Sequence, residues 1–216
     1  MKFGVHFSDI YDVSPETLES YGAFNISLIN AMPLFIDPFL LFSNDKPEYK
    51  ALHKQILRYL TFLKEKAEKG VTDTGLIKAW YAFPEVKQNW IGYSEMGNSG
   101  RGLGMQFAND MHILMPSAFK NLGSEEITET SHLEKVGLFD KGIGRDNISD
   151  FTTNLILDFL LKYTEAFSKK YIDASLTRQF TVNKAFFDYQ YERWMPGRYI
   201  LPVDAKGDYV ILTPKD

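Results

Sequence analysis

The 216-residue sequence contains no cysteine. That absence excludes a disulfide framework, a thiolate zinc site and a cysteine nucleophile. Its four histidines, His6, His53, His112 and His132, fall in neither HxxxH nor HExxH spacing, which argues against a histidine-rich zinc centre. No run of about 18 apolar residues reads as a membrane span, and the opening MKFGVHFSDIYDVSPE lacks the apolar stretch of a signal peptide. Internal repeats and low-complexity tracts are missing too. So is an excess of basic charge: 24 Lys and Arg stand against 28 Asp and Glu, a formal net charge of −4. That balance disfavours a globally basic nucleic-acid binder and leaves room for a local basic patch. Ser94, in Gly92-Tyr93-Ser94-Glu95-Met96, makes no Gly-x-Ser-x-Gly elbow, which disfavours a serine hydrolase. The expectation is a soluble cytoplasmic protein with no membrane partner.

What is present is ordinary globular material with many rings. Hydrophobic residues make up 44% and charged residues 24%. Aromatics reach 15%, with 17 Phe and 12 Tyr, enough for a thick aromatic core. Intrinsically disordered chains lack such residues. A chain of this length buries about 70% of its unfolded surface, so a single domain over 1–216 is expected. The strand-like run just before Thr213-Pro214-Lys215-Asp216 also fits the N-terminal part of a longer protein.

The periodicities predict an α/β or α+β fold: a mixed β-sheet with two long amphipathic helices, about 47–69 and 150–168, packed on it. In the first, Leu52, Ile56, Tyr59, Leu60, Leu63 and Ala67 follow the 3.6 period, and Gly70 sits where a C-cap belongs. The stripe Lys50, Lys54 and Arg58 falls opposite, on a solvated face, with a phosphate-tracking stripe as the alternative. In the second, Leu155, Ile156, Phe159, Leu160, Tyr163 and Phe167 share one side, with Ser149 or Asp150 as N-cap. A turn or short helix is expected to open at Ser14-Pro15-Glu16, and shorter helices over 72–82 and over about 103–115, near Pro116. A short strand is expected before Ser14. Residues 24–42 read as two extended segments interrupted by Pro33 and Pro38. Short strands are expected at the start of 83–104 and at 134–139, and 178–212 reads as β-structure turning at Ala205-Lys206-Gly207.

Three constellations carry candidate chemistry. On a strand, Glu85-Val86-Lys87 would place its acid and its ammonium on one face. The carboxylate could then hold Mg²⁺ while Lys87 activates water or steadies phosphate charge. Asp37 is the upstream acid that would join Glu85 at the metal. The second is the run from Gly97 to Gly104, in which Gly100, Arg101 and Gly102 suit an anion: backbone N–H groups point inward and the guanidinium binds phosphate bidentately. It matches neither the Walker pattern nor a clean dinucleotide fingerprint. The third is 142–150, where Arg145 is a phosphate candidate and Asp146 and Asp150 are metal candidates, with Glu134 close by if the chain returns through Gly142 and Gly144. Capping and an Asx-turn account for the same residues without any ligand.

Asp37 and Glu85-Val86-Lys87 resemble the PD-(D/E)XK nucleases. The resemblance implies Mg²⁺-dependent phosphodiester cleavage at a strand-borne site of two acids and a lysine. The match departs from the family in reading Asp37-Pro38 rather than Pro-Asp, and in placing Pro84 beside the Glu85 segment. The runs 33–41, 84–90 and 144–154 also resemble segments of bacterial proteins without an assigned activity, implying a bacterial or phage origin.

Taken together, these patterns lead to a metal-dependent phosphodiesterase, a nuclease or nuclease module, with Mg²⁺ as cofactor and nucleic acid as partner. Lys87 and Glu85 would be catalytic, and Asp37, Glu85, Asp146 and Asp150 would hold metal. Arg101, Gly100, Gly102 and Arg145 would hold phosphate. The alternatives are a non-catalytic module for a nucleotide or other phosphorylated ligand in a multi-protein assembly, and a structural or interaction protein with protein partners.

Overall fold

The computed structural model describes residues 5–92, 104–120 and 145–215. Among the described residues the fold is α+β, mostly helical, with an antiparallel β-hairpin as the sheet. Contacts within the chain group it into two compact units. One comprises Met1–Leu34, Val86–Gly100 and Leu157–Asp216; the other comprises Phe35–Glu85 and Arg101–Ile156. No helix among the described residues is long and apolar enough to cross a membrane.

The first unit holds α1 (Phe7–Ile10), α2 (Pro15–Tyr21), α8 (Leu157–Tyr171), β1 (Thr177–Asp188) and β2 (Arg193–Pro202). Where a strand is expected before Ser14, the chain instead forms the short helix α1, whose Asp9 carboxylate takes the N–H groups of Val5 and His6. Ser14 caps α2 as its sequence signals, accepting from the Thr17 N–H at 3.1 Å, and Gly22 ends it at φ 81°. Phe7, Tyr11, Leu18, Ile26, Trp90, Phe167, Val210 and Leu212 form a buried core. Thr164 works in both directions within it: its hydroxyl donates to the Leu160 carbonyl and accepts the Leu212 N–H. The strands pair from Thr177↔Pro202 to Asp188↔Arg193, with an irregularity between Val182 and Phe186. Helix α8 packs on the hairpin, where Tyr199 donates to the Asp158 carboxylate at 2.7 Å. After Gly207, the 209–212 segment contributes an isolated bridge, Val203↔Tyr209, and no third strand. Among the described residues the sheet is thus an antiparallel ribbon.

The second unit is helical: α3 (Pro38–Ser43), α4 (Pro47–Glu68), α5 (Thr74–Tyr81), α6 (Met105–Lys120) and α7 (Arg145–Leu155). The face of α4 read from its period is the buried one, from Leu52 through Leu63, and Gly70 follows in the left-handed region at φ 66°. Lys50, Lys54 and Arg58 are exposed. The partners of α4 are α3, α5's aromatic residues, α6 and α7. Tyr59 donates to the Trp80 carbonyl and Tyr81 to the Leu63 carbonyl, both at 2.7 Å, so the rings are buried without stranding their hydroxyls. Helix α6 continues four residues past Pro116, whose missing N–H costs the helix one bond rather than ending it.

The helix expected over 150–168 departs most from its pattern. It starts earlier, at Arg145, and breaks at Ile156 into α7 and α8. Just before the break, Thr152, Thr153 and Asn154 each bond back to the carbonyl four residues earlier, at 2.7, 2.7 and 2.8 Å. Such back-bonding competes for the helix's own acceptors and bends it.

Candidate functional site

Helix α7 carries a run of buried polar side chains: Ser149, Thr152, Thr153 and Asn154. Buried polar groups must be paired, and here the pairing reaches distant parts of the chain. Ser149 is no N-cap, because the helix has already begun four residues earlier. Its hydroxyl oxygen accepts the Ile36 N–H at 2.9 Å. The Asn154 amide donates to two carbonyls, Pro84 at 2.9 Å and Asp150 at 2.8 Å. From α4, Gln55 donates to the Leu155 carbonyl at 2.7 Å.

These tethers decide which candidate acids come together. Ile36 precedes Asp37, Pro84 precedes Glu85, and Asp150 follows Ser149. The backbones bearing Asp37, Glu85 and Asp150 therefore converge on α7 within one unit. Asp37 is exposed and caps α3, its Oδ1 accepting the Phe39 N–H at 2.9 Å with Pro38 at the first helical position. Glu85 and Asp150 are half-buried. Among the described residues, no three His, Asp or Glu side chains gather as a group able to hold a metal ion. Asp146 and Arg145 lie in the first turn of α7, and their side chains fall outside the described residues. Gly100, Arg101, Gly102, Glu134 and the strand expected at 134–139 lie outside them as well.

The strand expected at Glu85-Val86-Lys87 does not form. Burial does alternate, with Val86 inward between half-buried Glu85 and exposed Lys87. Yet no strand among the described residues pairs with the segment, and Lys87–Asn89 closes into a 3₁₀ turn ending at Trp90 in the left-handed region, φ 54°. Pro84 has no N–H to give a ladder, and its carbonyl is taken by Asn154. The same-face argument for Glu85 and Lys87 fails accordingly, and Lys87 falls in the other compact unit.

Sequence reasoning missed Ser149 as a tether and Asn154 altogether. A polar SDFTTN run inside a helical pattern was the available signal, but it does not name partners 113 and 70 residues away. Chemically, the arrangement supplies hard carboxylate oxygens. Mg²⁺ needs only one or two of these when water and a substrate phosphate complete its shell.

No curated protein and no solved structure matches the chain. A family model described as domain of unknown function DUF8370 matches residues 12–216, and the chain belongs to that family.

Proposed function

We propose that this protein is a metal-dependent phosphodiesterase acting on nucleic acid, with its site at α7. Asp37, Glu85 and Asp150 supply carboxylates, and the sequence pattern alone adds Asp146 for metal and Arg145, Gly100, Arg101 and Gly102 for phosphate. Bound Mg²⁺ would polarise the scissile phosphate and lower the pKa of a water. The observation that supports this reading is the pair of tethers, Ser149 to Ile36 and Asn154 to Pro84, which draws the backbones of Asp37 and Glu85 from two distant segments to the helix that carries Asp150. The test is cleavage of a DNA and RNA panel with Mg²⁺, Mn²⁺ or EDTA, comparing wild type with Asp150→Asn and Glu85→Gln. Metal-dependent cleavage lost in both variants, with folding intact, supports the reading. Absence of cleavage together with absence of Mn²⁺ binding by calorimetry removes it.

A second reading, an interaction module, rests on a different observation. Ser149, Asn154 and Asp37 all have internal hydrogen-bond partners, so packing alone accounts for them. Phe39 and Leu40 on α3 are also 48% and 51% exposed. On this reading Asp150→Asn changes stability and nothing else.

A further inference from the structure

The β-hairpin has two edges, and hydrogen-bond directions show that they are treated differently. The Ile200 N–H donates to the Glu165 carboxylate of α8 at 2.8 Å, so it points away from β1. Gln179↔Ile200 is therefore a non-hydrogen-bonded pair of the ladder. By alternation Thr177↔Pro202 and Thr181↔Arg198 are too. The Pro202 carbonyl agrees, since it points outward and accepts the Val210 N–H at 3.0 Å.

The outer edge of β2 is thus closed over most of its length. Glu165 covers Ile200, Val210 covers Pro202, and Pro196 has no N–H to offer. Among the described residues the outer edge of β1 is open. The N–H and C=O of Gln179 and Thr181 point outward by the same alternation, both residues are exposed, and neither group has a partner among the described residues. Open edges are templates for another strand, and proteins commonly blunt them with charge, proline or cover. Among the described residues, β2 is blunted and β1 is not.

We infer that the β1 edge pairs with the β1 edge of a second copy of this chain, giving a four-stranded antiparallel sheet about a two-fold axis at Phe180. The sequence is self-complementary in that register. Gln179 faces Thr181 of the second copy in both directions, which are the outward hydrogen-bonding positions. Arg178 faces Val182, and Phe180 faces its own symmetry mate. No like charges stand opposite each other, and an isologous contact closes at two copies. A two-stranded ribbon gains stability from added strands.

The test is sedimentation of the full chain over a wide concentration range, with amide exchange at Gln179 and Thr181. The expected result is a concentration-dependent monomer–dimer equilibrium, with those two amides slowing as dimer forms. Thr181→Pro removes an outward N–H and no bond to β2, so the hairpin stays and the dimer is lost. The double variant Gln179→Lys with Thr181→Lys sets lysine opposite lysine and weakens the dimer about tenfold or more. Gln179→Glu with Thr181→Lys sets opposite charges there and restores it, so a folding defect cannot imitate the result. A monomer at every concentration, or a dimer indifferent to the lysine pair, overturns the inference.

Discussion

The ring of Tyr199 lies across Gly197, two residues earlier on β2, and fills the space a side chain there would occupy. A Cβ placed on Gly197 would come within 2.6 Å of the ring. The ring is held there by its hydroxyl, which donates to Asp158 on α8. An aromatic covering a strand glycine in this way replaces the packing that the glycine lacks.

Gly197→Ala therefore forces the ring aside and breaks its bond to Asp158. The expected loss is about 1–3 kcal/mol, the usual cost of overpacking. Tyr199→Phe removes only the hydroxyl, leaves Asp158 with Lys162 at 2.7 Å, and costs about 1 kcal/mol. Urea unfolding monitored by circular dichroism ranks the two. Equal or reversed losses would show that the ring does not depend on an empty Gly197.

Asn154→Ala leaves the Pro84 carbonyl without its donor and costs about 1–3 kcal/mol. Asn154→Asp is the sharper test, because a carboxylate has no hydrogen to give and faces two carbonyl oxygens. It should unfold at lower urea than Asn154→Ala. The opposite order would mean the amide is not the link between α7 and the Pro84 segment.

Stability should fall in alkali, and the sign follows from buried phenols. Burial, then the nearby Asp208 charge, pushes the Tyr209 hydroxyl up to about 12. Burial likewise raises Tyr11, Tyr81 and Tyr199. An unfolded tyrosine gives up its proton near pH 10, whereas the folded one keeps it. Between about pH 10 and 12 the unfolded chain binds fewer protons, so stability is full below 10 and drops as pH rises. Each such tyrosine contributes about 1.4 kcal/mol per pH unit. Urea midpoints measured just below pH 10 and near pH 11 should separate. The gap should narrow in Tyr209→Phe, which keeps the ring against Phe180.

What could be read in advance was local. Helix α4 shows in its period and Gly70, the α2 cap in Ser14-Pro15, and β1 and β2 in their β-branched and aromatic residues, because each signal acts within a few positions. The α7 region could not be read that way. Its early start, its break at Ile156 and its bonds to Ile36 and Pro84 depend on partners far away in the chain. Glu85-Val86-Lys87 shows the reverse case. It alternates as a strand does, but a strand needs a neighbour, and none of the described residues supplies one. Of the candidate site, the acids were legible one by one, whereas their convergence was not.

Asp37 separates the two functional readings. Asn caps a helix about as well as Asp, so Asp37→Asn should keep α3 and the native stability, while Asp37→Ala loses about 1 kcal/mol. As a metal ligand, however, Asp37 is needed for its negative charge, which Asn lacks. The phosphodiesterase reading therefore expects Asp37→Asn to be as stable as wild type yet deficient in Mn²⁺ binding and in metal-dependent cleavage. Unfolding curves and calorimetric Mn²⁺ titrations on the same preparations make the comparison. Should Asp37→Asn match wild type in both, Asp37 is a cap alone, and the metal site must be sought at Glu85, Asp146 and Asp150 without it.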